Sequence, residues 1–122
     1  MMDIVEFREY CLALGDVEEK TPFGKFNAKY SSVLAFYVEG HIFCIVDIDD
    51  FTYVDLKAAP EVVERLRQNK ASVGDPTNLH PKHWIRIDFD GDVSQPEILE
   101  LVNDAYGLVK ARYSRRRKSA TD

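Results

Sequence analysis

Val33 to Lys57 reads VLAFYV, Glu39-Gly40, HIFCIVDI, Asp49-Asp50, FTYVDLK, three apolar-rich runs separated by two pairs of turn residues. Runs of this length rich in valine, isoleucine and aromatic residues form strands, and two-residue connections join such strands as hairpins. A two-residue loop also sets register, because the residues flanking it face each other and every pair further out follows. Val38 is then expected opposite His41, Phe36 opposite Phe43 and Leu34 opposite Ile45, while Ile45 faces Val54 and Phe43 faces Leu56 across the second hairpin. That row is apolar except for His41, so one sheet face is a core. The reverse carries Val33, Ala35, Tyr37, Ile42, Cys44, Val46, Tyr53, Asp55 and Lys57, a mixture of apolar, aromatic and charged side chains.

Outward from this meander the chain alternates helix and strand signals. Residues 1–14 form a helical pattern with Asp3 as N-cap, Glu6 three residues later, and Ile4, Phe7, Cys11 and Leu14 on one face. Gly15 ends it, and Thr21-Pro22-Phe23-Gly24 has turn chemistry. Residues 25–29 are a candidate edge strand. Beyond the meander, Pro60 suits the first position of a helix to Gln68, since the amide that proline lacks would be unpaired there. A short strand is expected near residues 71–73, and 84–89 alternates, with Ile85, Ile87 and Phe89 against Trp84, Arg86 and Asp88. Ser94 and Glu97 open the longest helix, with Ile98, Leu101, Val102, Ala105, Val109 and Tyr113 at helical spacing. Hairpin-ordered strands and three amphipathic helices imply an α+β two-layer sandwich, an antiparallel sheet of about five strands in the order α-β3-α-β2-α. Residues 1–113 make one domain, and 114–122 a basic flexible tail.

A chain of 122 residues with 45% hydrophobic and 30% charged content is an ordinary globular domain with one core. Its net charge of −5 hides an asymmetry: residues 110–122 hold six basic residues against one acid, a balance of +5 that leaves the body at −10. A polyanion must therefore be met by a local patch and not by the overall field. Cys11 and Cys44, with no C-x-x-C pair and no signal peptide, read as free apolar thiols of a reducing cytoplasm. No apolar run reaches the roughly 18 residues that span a bilayer. The expectation is a soluble, cytoplasmic protein with no cofactor, no metal and no membrane partner.

Taken together, the Pro22-Phe23-Gly24 turn, Lys57 closing the third strand just ahead of Pro60-Glu61, His83-Trp84 opening a later strand, and Ala105-Tyr106 in the last helix give a chain that resembles the MmcQ/YjbR family over nearly its whole length. That family typically has Ser-Tyr where this chain has Ala105-Tyr106. The resemblance implies an α+β fold similar to type III secretion chaperones and CyaY-like proteins, and a DNA-binding role of double-wing type.

Candidate residues follow from the alternation and the charge. Trp84 shares a face with Lys57 and Arg86 and follows Lys82 and His83. Aromatic rings beside cations can stack bases and hold phosphates, or the ring can cover its own sheet beneath the aliphatic stems of Lys57 and Arg86. Asp55 and Asp88 on that face can pair with the cations across strands. Arg115, Arg116 and Arg117 add a basic run that grips phosphates or stays solvated. The nucleic-acid set is thus Lys57, Lys82, His83, Trp84, Arg86, Arg115, Arg116 and Arg117. The alternative is a protein-interaction or homodimerisation module using the outer sheet face, whose centre of Val33, Ala35, Ile42, Cys44 and Val46 is apolar.

Catalytic chemistry has little to stand on. His80 and His83 have a metal-like spacing, but a structural zinc site normally has four ligands and no cysteine pair supports one here. Asp47, Asp49 and Asp50 lack the glycine and terminal glutamate of an EF-hand. Neither His41 nor His83 comes with the serine or cysteine of a triad, so no enzyme is expected.

Overall fold

The computed structural model describes residues 2–76 and 79–121, with side chains as far as residue 114. Three helices, α1 (Ile4–Leu12), α2 (Pro60–Asn69) and α3 (Gln95–Thr121), lie with six strands: β1 (Glu18–Lys20), β2 (Val33–Val38), β3 (His41–Asp47), β4 (Tyr53–Lys57), β5 (Val73–Gly74) and β6 (Trp84–Asp88). The sheet order is β1-β2-β3-β4-β6-β5, with every neighbouring pair antiparallel. This is the expected α+β architecture with one strand more. The backbone of α3 continues to Thr121, through the stretch read as a tail.

Helix ends follow their chemistry. The Asp3 carboxylate accepts the Glu6 N–H at 2.8 Å, Pro60 takes the first turn of α2, and Ser94 Oγ accepts the Glu97 N–H at 3.3 Å. Each satisfies, or dispenses with, an amide that has no partner inside the helix.

The first hairpin turns as expected, with Glu39 and Gly40 at φ of 51° and 76° and Val38 opposite His41. Two successive left-handed residues match the right-handed twist of the strands. Beyond Tyr37 and Ile42 the expected register is overturned: Phe36 pairs with Cys44, Ala35 with Ile45 and Leu34 with Val46. Phe43 is the extra residue of a β-bulge, so Phe43 and Cys44 both reach the helix side, and every later β3 residue changes face. Ile45 therefore points outward, while Cys44 and Val46 point to the helices. The second connection is also longer than two residues, because Asp47 Oδ1 accepts the Asp49 and Asp50 N–H groups at 3.0 and 3.2 Å and folds 48–52 into a wider loop. Cys44 consequently faces Leu56, and Ile45 faces Asp55.

A second correction concerns the edge. Residues 25–29 form no strand; Asn27 accepts the Lys29 N–H at 3.1 Å and caps a short 3-10 turn over Ala28–Tyr30, a local bond that competes with strand pairing. The edge is instead the polar β1, where Glu19 is held by an ion pair from Arg8 of α1.

The main core joins all three helices to one sheet face. It centres on Phe7, Phe36, Phe43, Leu56, Ile85, Ile87, Ile98 and Val102, with Phe51 and Phe89 flanking Phe7 at ring distances of 5.6 and 6.5 Å. A smaller cluster of Ala35, Ile45 and Trp84 lies on the other face beneath Phe23 and Leu79. The loop 21–31 thus covers part of a face that the sequence left open. Cys11 and Cys44 are both free and buried; burial and the neighbouring Cys11 thiol push Cys44 well above the ordinary thiol range, which keeps it unreactive.

Candidate functional site

The β4–β6 ladder positions most of the predicted residues. Lys57 pairs with Trp84 and Asp55 with Arg86, so all four side chains share the outer face. Trp84 is only 8% exposed and packs with Ala35 and Ile45; the Lys57 ammonium lies 5.2 Å from its ring centre. The ring covers its own sheet and offers no free face for a base to stack on.

Arg86 is taken up as well. Its Nε and Nη2 donate to the two Asp55 oxygens at 2.8 and 3.0 Å, and the guanidinium lies 4.0 Å from the Tyr53 ring centre. Burial pushes the Asp55 carboxyl up and the Arg86 bonds pull it only part of the way back. The pair is a fixture of the half-buried face, and breaking it would leave a charge stranded.

Lys57, Lys82 and His83 remain, at one corner where β4 ends and β6 begins. The His83 carbonyl accepts the Ala58 N–H at 2.9 Å, and the His83 N–H donates to the His80 carbonyl at 3.1 Å. Lys82 N–H donates to His80 Nδ1 at 3.1 Å, and Arg67 Nη2 donates to the Pro81 carbonyl at 2.7 Å. These bonds hold the 80–83 turn against β4 and α2.

Arg112 of α3 completes the corner. Partial desolvation, then Lys57, His80, Arg112 and Lys82, hold the His83 imidazole below its usual range. Burial and Arg112 likewise draw the Lys57 ammonium down. Among the described residues no carboxylate shifts either group; Asp55 belongs to Arg86 and Asp75 to Arg67, while Asp104 lines a groove with Lys57 and Glu64 one with Lys82. Sequence reasoning missed Arg112 because its place beside Lys57 depends on how α3 packs: Asp104 and Leu108, eight and four residues earlier and so on the same helix face, line a groove with Lys57. The side chains of Arg115, Arg116 and Arg117 lie outside the described residues.

The other candidates are dispersed. His41 stacks on Tyr113 at 3.4 Å between ring centres, His80 and His83 rings are 5.3 Å apart, and Asp47 is occupied by its own loop and Ser32. Among the described residues no group of three or more histidine, cysteine or carboxylate side chains could hold a metal ion, and no helix is long and apolar enough to cross a membrane.

Fold and corner together define a class: a small α+β protein with helices on one side of an antiparallel sheet and a cationic end where β4, β6 and α3 meet. A family model described as YjbR matches residues 12–108, and the chain belongs to the YjbR family. It is 29% identical over 106 residues to Escherichia coli YjbR, covering 86% of this chain and 85% of that one. The crystal structure of Deinococcus radiodurans protein DR2400 superposes with a TM-score of 0.76 at 29% identity, covering 89% of this chain and 79% of that one. A Pseudomonas syringae protein shares the fold, with a TM-score of 0.69 at 21% identity over 88% of this chain and 99% of that one.

The residues that carried the resemblance have structural work to do. Phe23 seals the outer cluster, and Tyr106 Oη donates to the Gly15 carbonyl at 2.7 Å, tying α3 to the end of α1.

Proposed function

We propose that the chain is a non-enzymatic nucleic-acid-binding module that holds a phosphate backbone at the corner of Lys57, Lys82, His83 and Arg112. One observation supports this above others: three segments distant in sequence bring cations to one place, and among the described residues no carboxylate shifts the histidine among them. Trp84 and Arg86, part of the set expected from sequence, serve the fold in this reading. Phosphate contact without base stacking gives weak, sequence-tolerant and salt-sensitive binding.

Fluorescence anisotropy with a labelled duplex tests it. Binding should appear at low salt and fall with a log–log slope of roughly −3, at about 0.9 per phosphate contact. Because neighbouring cations disfavour the protonated imidazole, lowering the pH through the His83 titration adds a charge and should tighten binding. No change in anisotropy at low salt would sink the reading.

The alternative, an interaction surface on the outer sheet face, loses two members of its apolar centre, since Cys44 and Val46 face the helices, and Ala35 is itself covered. The sheet edges are short, at three and two residues, and offer little backbone for pairing with another chain.

A further inference from the structure

Above the Asp55–Arg86 pair, the 21–31 loop and Leu79 enclose a cavity of about 230 Å³. Phe23, Val33, Ile45 and Leu79 form its apolar wall, Tyr30 and Tyr53 also line it, and the ion pair lies at the floor. Phe26, 77% exposed, stands at the mouth. Such a chamber, mostly apolar with a few fixed polar groups, has the make-up of a small-molecule site, though smaller than those that take drug-sized ligands.

The polar groups decide what fits. Each Asp55 oxygen accepts one bond from Arg86, and the Asp55 side chain is 5% exposed against 28% for Arg86, so the accessible member of the pair is the guanidinium. Arg86 makes no other hydrogen bond among the described residues, so Nη1 is left with two N–H donors. The open valence at the floor is therefore a donor and calls for an acceptor on the ligand. Charge narrows it further: the carboxylates acting on Arg86 are Asp55 and Asp88, so this one guanidinium already faces two anions. Lys25 and Lys29 are not among the lining residues; their ammonium groups sit over the rings of Phe26 and Tyr30 at its rim. A ligand carboxylate would bring a third anion to the floor, and an ammonium would meet the guanidinium itself.

We propose that this cavity binds a flat, uncharged, single-ring molecule whose carbonyl oxygen accepts from Arg86 Nη1 while its ring lies among Phe23, Val33, Ile45 and Tyr53. The site is separate from the cationic corner and would work whether or not that corner meets nucleic acid.

Amide-resolved NMR titrations of the full chain test it with four probes of similar size: acetophenone, ethylbenzene, phenylacetate and phenethylammonium. Acetophenone should give saturable shifts at Val33, Ile45, Tyr53 and Arg86, and should bind about tenfold tighter than ethylbenzene, the worth of one net hydrogen bond. Both charged probes should bind more weakly than acetophenone. Arg86→Lys keeps a cation for Asp55 but replaces the fixed fork, whose Nη1 is spare, by a point charge drawn to the carboxylate. It should weaken acetophenone toward ethylbenzene while leaving ethylbenzene unchanged, which also reports that the cavity is intact. Val33→Phe, which fills the chamber, should abolish both. The proposal is overturned if no probe saturates at these residues, if ethylbenzene matches acetophenone in the unaltered chain, if a charged probe binds tightest, or if Val33→Phe has no effect.

Discussion

Trp84 shows how a single residue changes meaning between sequence and structure. Alternation placed it correctly on the outer face beside Lys57, but alternation says nothing about what lies above that face. The loop 21–31 does, through Phe23. With the ring 8% exposed, Trp84→Ala should cost about 3–5 kcal/mol of unfolding free energy, as large aromatic truncations in cores do. Binding of DNA per folded molecule should change little; a denaturant melt showing near-native stability would contradict the packing described here. Asp92 carries the clearest electrostatic signature. Its carboxylate accepts from the Ser72 hydroxyl and from the Ser72 and Ala71 amides, and these bonds hold its pKa down at about 2 against an ordinary 3.8. Because the folded value is the lower one, the group's contribution to stability is complete above about pH 4 and is lost as the pH falls toward 2. A carboxyl-carbon NMR titration should place the Asp92 midpoint near 2; a midpoint at the ordinary value would mean that these bonds do not form.

Strands and helices were legible where a local device terminates them. Asp3, Pro60 and Ser94 mark helix starts by chemistry that acts within one turn, and Glu39-Gly40 marks a hairpin by its backbone preference. That turn provides a clean test, because Gly40 has φ +76° and a Cβ there would meet nothing within 4 Å. Gly40→Ala should therefore cost only the backbone penalty, roughly 1–2 kcal/mol, read as a shifted denaturation midpoint with an unchanged slope. The bulge at Phe43 was not legible in the same way. Two-residue periodicity assumes a regular ladder, and Phe43 and Cys44 as adjacent apolar residues fit either face until the partner strand is known. The five-residue second loop escaped for a related reason: Asp47 belongs to the strand by pattern and to the turn by its side chain. β1 went unread because Glu18–Lys20 is polar, and its pairing depends on β2 together with Arg8 of α1.

For the molecule as a whole, the class and topology followed from element order, since hairpin-linked strands can only build an antiparallel sheet and amphipathic helices must cover one of its faces. The proposed corner was half legible. Lys57, Lys82 and His83 adjoin through strand register and chain proximity, which a sequence displays. Arg112 joins them only through the packing of α3, and Arg86 leaves the set because Asp55 across the ladder claims it. The central claim is that this corner, more than the basic run after it, meets the phosphates. Duplex titrations at low salt on the unaltered chain, on Lys57→Ala/Arg112→Ala and on a chain ending at Ser114 test that most directly. The account predicts that the double substitution weakens binding at least tenfold and lowers the salt slope by about 2, roughly one unit per lost contact, while the shortened chain keeps most of its affinity. Unchanged affinity in the double variant, with binding lost on shortening, would contradict it.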